Sequence, residues 1–193
     1  AGDRGEMAKD VTNPLMICVC GWHGWPSLYR VMRKISERWP VFVVGHREIE
    51  AWPEATVIPN EGLEWGAYDY FLRNLWDGKS NVFFTHDDVE ISDPGIFEDI
   101  ADLADASFLF KSKESALENG ARGFRGIGIH GRAFFLSAAA CRKLKGFWWD
   151  ETGKADINSG VIHFYEELQR LKIPIWNSIF RGYDYARRGG KET

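Results

Sequence analysis

A layered α/β fold around a mostly parallel sheet is what this 193-residue chain predicts, and three observations predict it. Short runs of β-favouring residues recur at 15–19, 41–44, 82–85 and 107–110. Between the early runs lie stretches with apolar residues at helical spacing, such as Leu28, Val31, Met32 and Ile35. The runs are apolar throughout rather than alternating, the pattern of strands buried on both faces of a parallel sheet.

The chain opens as strand, helix, strand. Residues 15–19 form a strand that closes on the turn Cys20-Gly21-Trp22-His23-Gly24, whose glycines permit close backbone approach to a ligand. The helix around Leu28 leads to a second strand at 41–44, so the two strands should lie parallel with a right-handed crossover. Thr56-Val57-Ile58 predicts a short third strand, punctuated by Pro59-Asn60-Glu61-Gly62. A helix follows over about 63–76, with Leu63, Ala67, Tyr70, Phe71 and Leu75 on one face. The fourth strand is 82–85; Asp93 reads as the N-cap of the next helix, with Pro94 at its first position.

A fifth strand at 107–110 leads into a polar, charged segment, 111–125, that reads as a mobile loop. Residues 127–135 contain a further strand, and Ser137 caps the helix after it. Phe147-Trp148-Trp149-Asp150-Glu151 is an aromatic wedge ending in acid. A long amphipathic helix follows Asp156 and carries His163 in a structural role; 173–176 is a last strand. The chain therefore divides into an N-terminal extension (1–13, with 1–6 reading as an expression remnant before Met7), one domain over 14–180, and a basic flexible tail over 181–193.

Composition narrows the function. A net charge of −4 gives no general basic footprint for nucleic acid or anionic membrane. No apolar run reaches membrane-spanning length, so no span is expected. Three cysteines form no even framework; Cys18 and Cys20 should share one face of a strand as reduced core residues, which points to the cytoplasm. Nine tryptophans are unusual, and most should pack in the core while a few are left for flat ligands or sugars.

The chemistry gathers at Asn81-Val82-Phe83-Phe84-Thr85-His86-Asp87-Asp88-Val89-Glu90-Ile91. A buried strand does not keep uncompensated charge, so Asp87, Asp88 and Glu90 belong at its carboxyl end. Ligands bind at that edge in open α/β sheets. Hard oxygen donors crowded there suit Mg²⁺ or Mn²⁺, especially where a ligand phosphate shares the ion. The plainer reading, a strand followed by a polar turn with Asp87 or Asp88 capping a helix, stands beside it.

The order of elements and motifs resembles a GT-A fold glycosyltransferase, a single Rossmann-like domain. The stretch from Phe83 to Ile91 is similar to that family's apolar strand, acidic D-x-D-type triplet and valine-centred continuation, with His86 standing where the first Asp is usual. Asn60-Glu61-Gly62-Leu63-Glu64-Trp65-Gly66 resembles the family's segment beside the nucleotide. His130 to Ser137 is similar to its acceptor-side strand, and Phe147 to Asp156 to the region carrying the catalytic base.

The resemblance implies a nucleoside-diphosphate sugar donor, a UDP-sugar first, and an acceptor that is a glycan, a protein or a modified nucleobase. It implies Mn²⁺ or Mg²⁺ held by Asp88, with Asp87 and Glu90 as further ligands, since Asp88-Val89-Glu90 is the alternative frame. Gly21, Trp22, His23, Asn60, Gly62, His86 and Asp87 would line the nucleotide, with Trp22 stacking on the base. The base catalyst would be Asp156, or else Asp150 or Glu151; each equally reads as a helix cap or surface turn. Two rivals remain at this stage, a metal-dependent phosphoesterase or nuclease using Asp87, Asp88 and Glu90, and a nucleotide-sugar-binding module without turnover.

Overall fold

The computed structural model describes residues 14–91, 93–101, 107–111, 133–149, 157–179 and 183–185. Its centre is a seven-stranded sheet in the order β3-β2-β1-β4-β7-β6-β8. The strands are β1 (Leu15–Gly21), β2 (Val41–Gly45), β3 (Thr56–Val57), β4 (Asn81–His86), β6 (Ser107–Lys111), β7 (Ala133–Leu136) and β8 (Ile175–Ile179). β1 pairs parallel with β2 and β4, β2 with β3, and β6 with β8. Only β7 runs antiparallel, to both neighbours. The mostly parallel α/β sheet of the sequence reading is present, compatible with a Rossmann-like fold.

Helices cover both faces. On one side α1 (Pro26–Ile35) and α3 (Ile96–Ala101) pack over Ile17, Val19, Phe83 and Phe135. On the other, α2 (Leu63–Asn74), α4 (Ala138–Leu144) and α5 (Ile157–Arg170) cover Cys18, Val82, Phe84 and Phe134. Strand alternation produces this division, because successive residues of β1 and β4 point to opposite faces. Cys18 and Cys20 share the α2 face as expected, both buried.

The α2 face is an aromatic core. Phe84 stacks on Phe134 at 4.8 Å between ring centres and meets Tyr68, Phe71 and Phe147 edge-on at 5.2, 5.8 and 5.3 Å. Aromatic pairs favour these offset and T-shaped arrangements. At the amino edge of the sheet, Asn81 accepts from the Ala138 N–H (2.8 Å), and the Ser137 hydroxyl accepts from Ala140 (3.1 Å) as the cap expected of it.

Several expectations need adjustment. In the 127–135 segment the described strand is β7, which runs antiparallel to β6 and β4, while 127–132 lie outside the described residues. α3 begins at Ile96; Asp93 instead accepts from Gly95 in the turn before it (3.0 Å). Val89–Ile91 forms β5, paired antiparallel with β9 (Tyr183–Tyr185), so part of the segment read as a flexible tail is a strand. The proposed loop over 112–125 lies outside the described residues.

Emptying the Phe84 site should cost about 3–5 kcal/mol, the range for a phenylalanine deleted from a packed core. Urea denaturation of Phe84→Ala measures this. Ser137→Ala removes only a helix cap and should cost about 1 kcal/mol by the same assay.

Candidate functional site at the carboxyl edge of the sheet

The carboxyl ends of β1, β2 and β4 lie at one edge, with Gly21 opposite Gly45 and Cys20 opposite His86. From β1 the chain proceeds to β2 and β3 on one side, then returns to place β4 on the other side of β1. The crevice between β1 and β4 is therefore the point where strand order reverses, the usual ligand position in open α/β sheets.

Alternation on β4 distributes the polar triplet. Thr85 and Asp87 turn to the α1 face, and His86 to the α2 face. Asp87 is 1% exposed, and its carboxylate accepts from three successive backbone N–H groups: Trp22 (2.9 Å) and Gly24 (2.6 Å) on Oδ2, His23 (3.0 Å) on Oδ1. The Tyr29 hydroxyl donates to Oδ2 as well, at 3.1 Å. Gly24 holds a left-handed φ of +73°, which turns the loop so that its amides converge on one anion. The loop feeds α1, so Asp87 occupies the amide nest ahead of that helix, the place where many α/β proteins receive a phosphate.

Asp87 was expected to line the nucleotide or ligate a metal. Its Oδ2 receives three donors, and through them it ties the β1–α1 loop to β4. Gly21 is buried in that loop, and the His23 amide is spent on Asp87. The Trp22 ring, by contrast, is 44% exposed, with the Arg47 guanidinium 5.9 Å from its centre and the His46 ring at 6.3 Å.

On the α2 face stands a cluster that joins His86 and Asp88, both marked by the sequence, to Glu64, which was not. His86 Nδ1 lies 3.6 Å from Asp88 Oδ1, and His86 Nε2 lies 4.0 Å from Oε1 of Glu64, a buried carboxylate in the first turn of α2. The buried Nε2 has no hydrogen-bond partner among the described residues. Cys20 lies near the same carboxylates; burial first, then the charges of Glu64, Asp87 and Asp88, keep its thiol neutral by raising its pKa. A signal for Glu64 existed: it shares a helical stripe with Tyr68 and Phe71, an unusual place for a carboxylate.

The loop 59–62 closes this side. His46 Nδ1 faces the Pro59 carbonyl (3.1 Å) and Nε2 the Leu63 carbonyl (2.9 Å). Gly62 has φ +74°, and a Cβ there would lie 2.5 Å from the Trp149 ring. Asn60 is exposed in this loop. The wall is thus built by Gly62 and Trp149 meeting face to face.

Asp87, Asp88 and Glu90 do not converge. Glu90 sits on the exposed face of β5 between buried Val89 and Ile91, and no group of three or more His, Cys, Asp or Glu among the described residues is arranged to hold a metal ion. β4 alternation sends Asp87 to the other face, and β5 turns Glu90 outward. Asp150, Glu151 and Asp156 lie outside the described residues, with α5 beginning at Ile157. Among the described residues no helix is long and apolar enough to cross a membrane. The sequence matches no protein-family model and no curated protein.

Removing the Asp87 carboxylate strands three amides and a hydroxyl, so Asp87→Ala should cost about 3–5 kcal/mol, the penalty for breaking a buried charged network. Tyr29→Phe removes one bond to a charged acceptor and should cost about 1.5–3 kcal/mol. Chemical denaturation of both variants checks the order.

The same pair has a pH signature. Burial, then the Asp87 charge and its hydrogen bond, raise the Tyr29 phenol well above its ordinary value. The unfolded chain therefore loses that proton first, so stability is whole below about pH 10 and falls as pH rises beyond it. Melting temperatures between about pH 8 and 11 should fall less steeply in Tyr29→Phe, by up to one proton in the linkage slope.

Proposed function

We propose that the protein is a glycosyltransferase of the GT-A type that binds a nucleoside-diphosphate sugar, a UDP-sugar first, in the β1–β4 crevice. The observation that carries this reading is the anchored loop. Asp87 fills the amide nest ahead of α1, so a diphosphate at this edge would lie beyond the nest, where a divalent ion on Asp88 would offset its charge. The same anchor fixes the backbone under Trp22 while leaving its ring exposed beside Arg47, a platform for a flat nucleobase.

A divalent ion fits this edge in one mode. Mg²⁺ and Mn²⁺ bind through one or two carboxylates plus substrate phosphates, and Asp88 supplies such an oxygen where an all-protein cage is missing. When bound, the ion would neutralise charge on the leaving diphosphate. Asp88 would hold it, and His86, set between Asp88 and Glu64, would face the same region. Gly62 keeps the 59–62 wall against Trp149, so the sugar-side boundary does not depend on a long side chain. The acceptor is a glycan, protein or modified nucleobase, and its base catalyst is assigned by resemblance to Asp156, Asp150 or Glu151. The phosphoesterase reading needs Asp87, Asp88 and Glu90 together, and their divergence weighs against it.

Thermal stability against nucleoside diphosphates and nucleotide-sugars, with and without Mn²⁺, tests the reading. A ligand at 100 times its Kd should stabilise by about 2.7 kcal/mol, which at this chain size is a rise in melting temperature of roughly 5–11 °C. The rise should require Mn²⁺, vanish in Asp88→Ala and shrink in Trp22→Ala. No rise with any nucleotide well above millimolar concentration would sink it. Sugar transfer or donor hydrolysis then separates an enzyme from a binding module.

Gly62→Ala would force a left-handed φ on alanine and drive its methyl into Trp149. The melting temperature should fall, and the nucleotide-dependent rise should fall with it, in the same assay.

A further inference from the structure

We propose a second binding site, for a neutral saccharide, in the pocket between α2, α4 and α5. The pocket encloses about 450 Å³ and is walled by Trp148, His163, Phe164, Arg73, Lys145 and Glu167. That volume falls in the small-molecule range. Nothing in the carboxyl-edge site uses these residues: Arg73 belongs to the last turn of α2, and Lys145 follows the end of α4.

The floor of the pocket is built, not incidental. The Phe147 amide donates to Asp69 Oδ1 at 2.7 Å, and Asp69 also takes both contacts from Arg73 Nε at 2.8 Å. Phe147 is buried in the aromatic core, so the backbone carrying Trp148 is fixed on both sides. Trp148 itself is 47% exposed. Its ring packs on His163 with the centres 3.9 Å apart and the planes tilted by 35°. An exposed indole held flat by a second ring costs little conformational entropy on binding.

Charge selects the ligand class. Arg73 is neutralised by Asp69, and Glu167 by Arg170 through a bidentate contact. Among the described residues of the wall, Lys145 is left as one cation at the rim, too little to draw a phosphate or polyanion. What the pocket offers is an open aromatic face beside donors (Arg73, Lys145, His163) and an acceptor (Glu167). A pyranose has the matching shape, an apolar C–H face and a rim of hydroxyls that both donate and accept. Of the exposed large apolar side chains, only Trp22 and Trp148 are tryptophans among the described residues, one at each site. His163, read as a structural helix residue, is exposed on α5 and packs against the Trp148 ring.

The site does not depend on the transferase reading, and its test is kept separate. Saturation-transfer difference NMR would be recorded with the methyl glycosides of glucose, galactose, mannose, rhamnose and N-acetylglucosamine, up to about 50 mM to reach weak affinities. The expected result is transfer to the C–H face of at least one glycoside, lost in Trp148→Ala and reduced at least several-fold in Glu167→Ala. Both side chains are surface groups, so the melting temperatures of the variants should stay near that of the native chain. Uridine diphosphate with Mn²⁺ should leave the signal unchanged. No transfer for any glycoside, transfer indifferent to both substitutions, or displacement by uridine diphosphate would each overturn the proposal.

Discussion

A single buried carboxylate constrains the working edge of this protein. A carboxyl group as deeply buried as Asp87 is tolerated only when hydrogen-bond partners surround it, and here three come from the backbone of a loop 63 to 65 residues earlier in the chain and a fourth from Tyr29. The bond pattern therefore does more than satisfy a charge. It ties β1, the start of α1 and the exit of β4 together at the position where strand order reverses, and it fixes which side chains can look into the crevice. Trp22 faces out because its amide is drawn inward.

Strand alternation then divides the chemistry. One residue before Asp87, the chain presents His86 to the opposite face, where Glu64 and Asp88 flank it. The acidic run that looks like one cluster on paper is thus two devices: an anchor on the α1 side and a histidine–carboxylate group on the α2 side. Both rest on apolar layers, the α2 side on a dense stack of aromatic rings around Phe84. A packed core of this kind transmits little slack to the groups mounted on it.

The layered architecture was legible because buried parallel strands leave continuous apolar runs, and Leu15, Val43 and Phe83 sit in such runs. The position of the acidic segment at the carboxyl end of β4 was legible for the same reason. What sequence spacing did not reveal are features set by pairing between distant segments. The antiparallel β7 and the β5–β9 ribbon depend on which strand lies beside which, and no local periodicity encodes that. The role of Asp87 depends on amides that carry no side-chain signature. Glu64 left a trace, a carboxylate in an apolar helical stripe, but its partner His86 could be found only once α2 was laid against β4.

The two exposed tryptophans acquire different meanings from how their backbones are held. Trp22 is held by a charge, and Trp148 by the insertion of Phe147 into the core and a bond to Asp69. Trp149, between the second platform and the first, closes on Gly62 at the mouth of α2. The 147–149 strip therefore runs from the pocket wall to the boundary of the crevice without a flexible link among its described residues. The Phe147 bond to Asp69 and the place of Trp149 against Gly62 tie both ends of this short strip to α2, so the exposed Trp148 ring stands between two fixed neighbours.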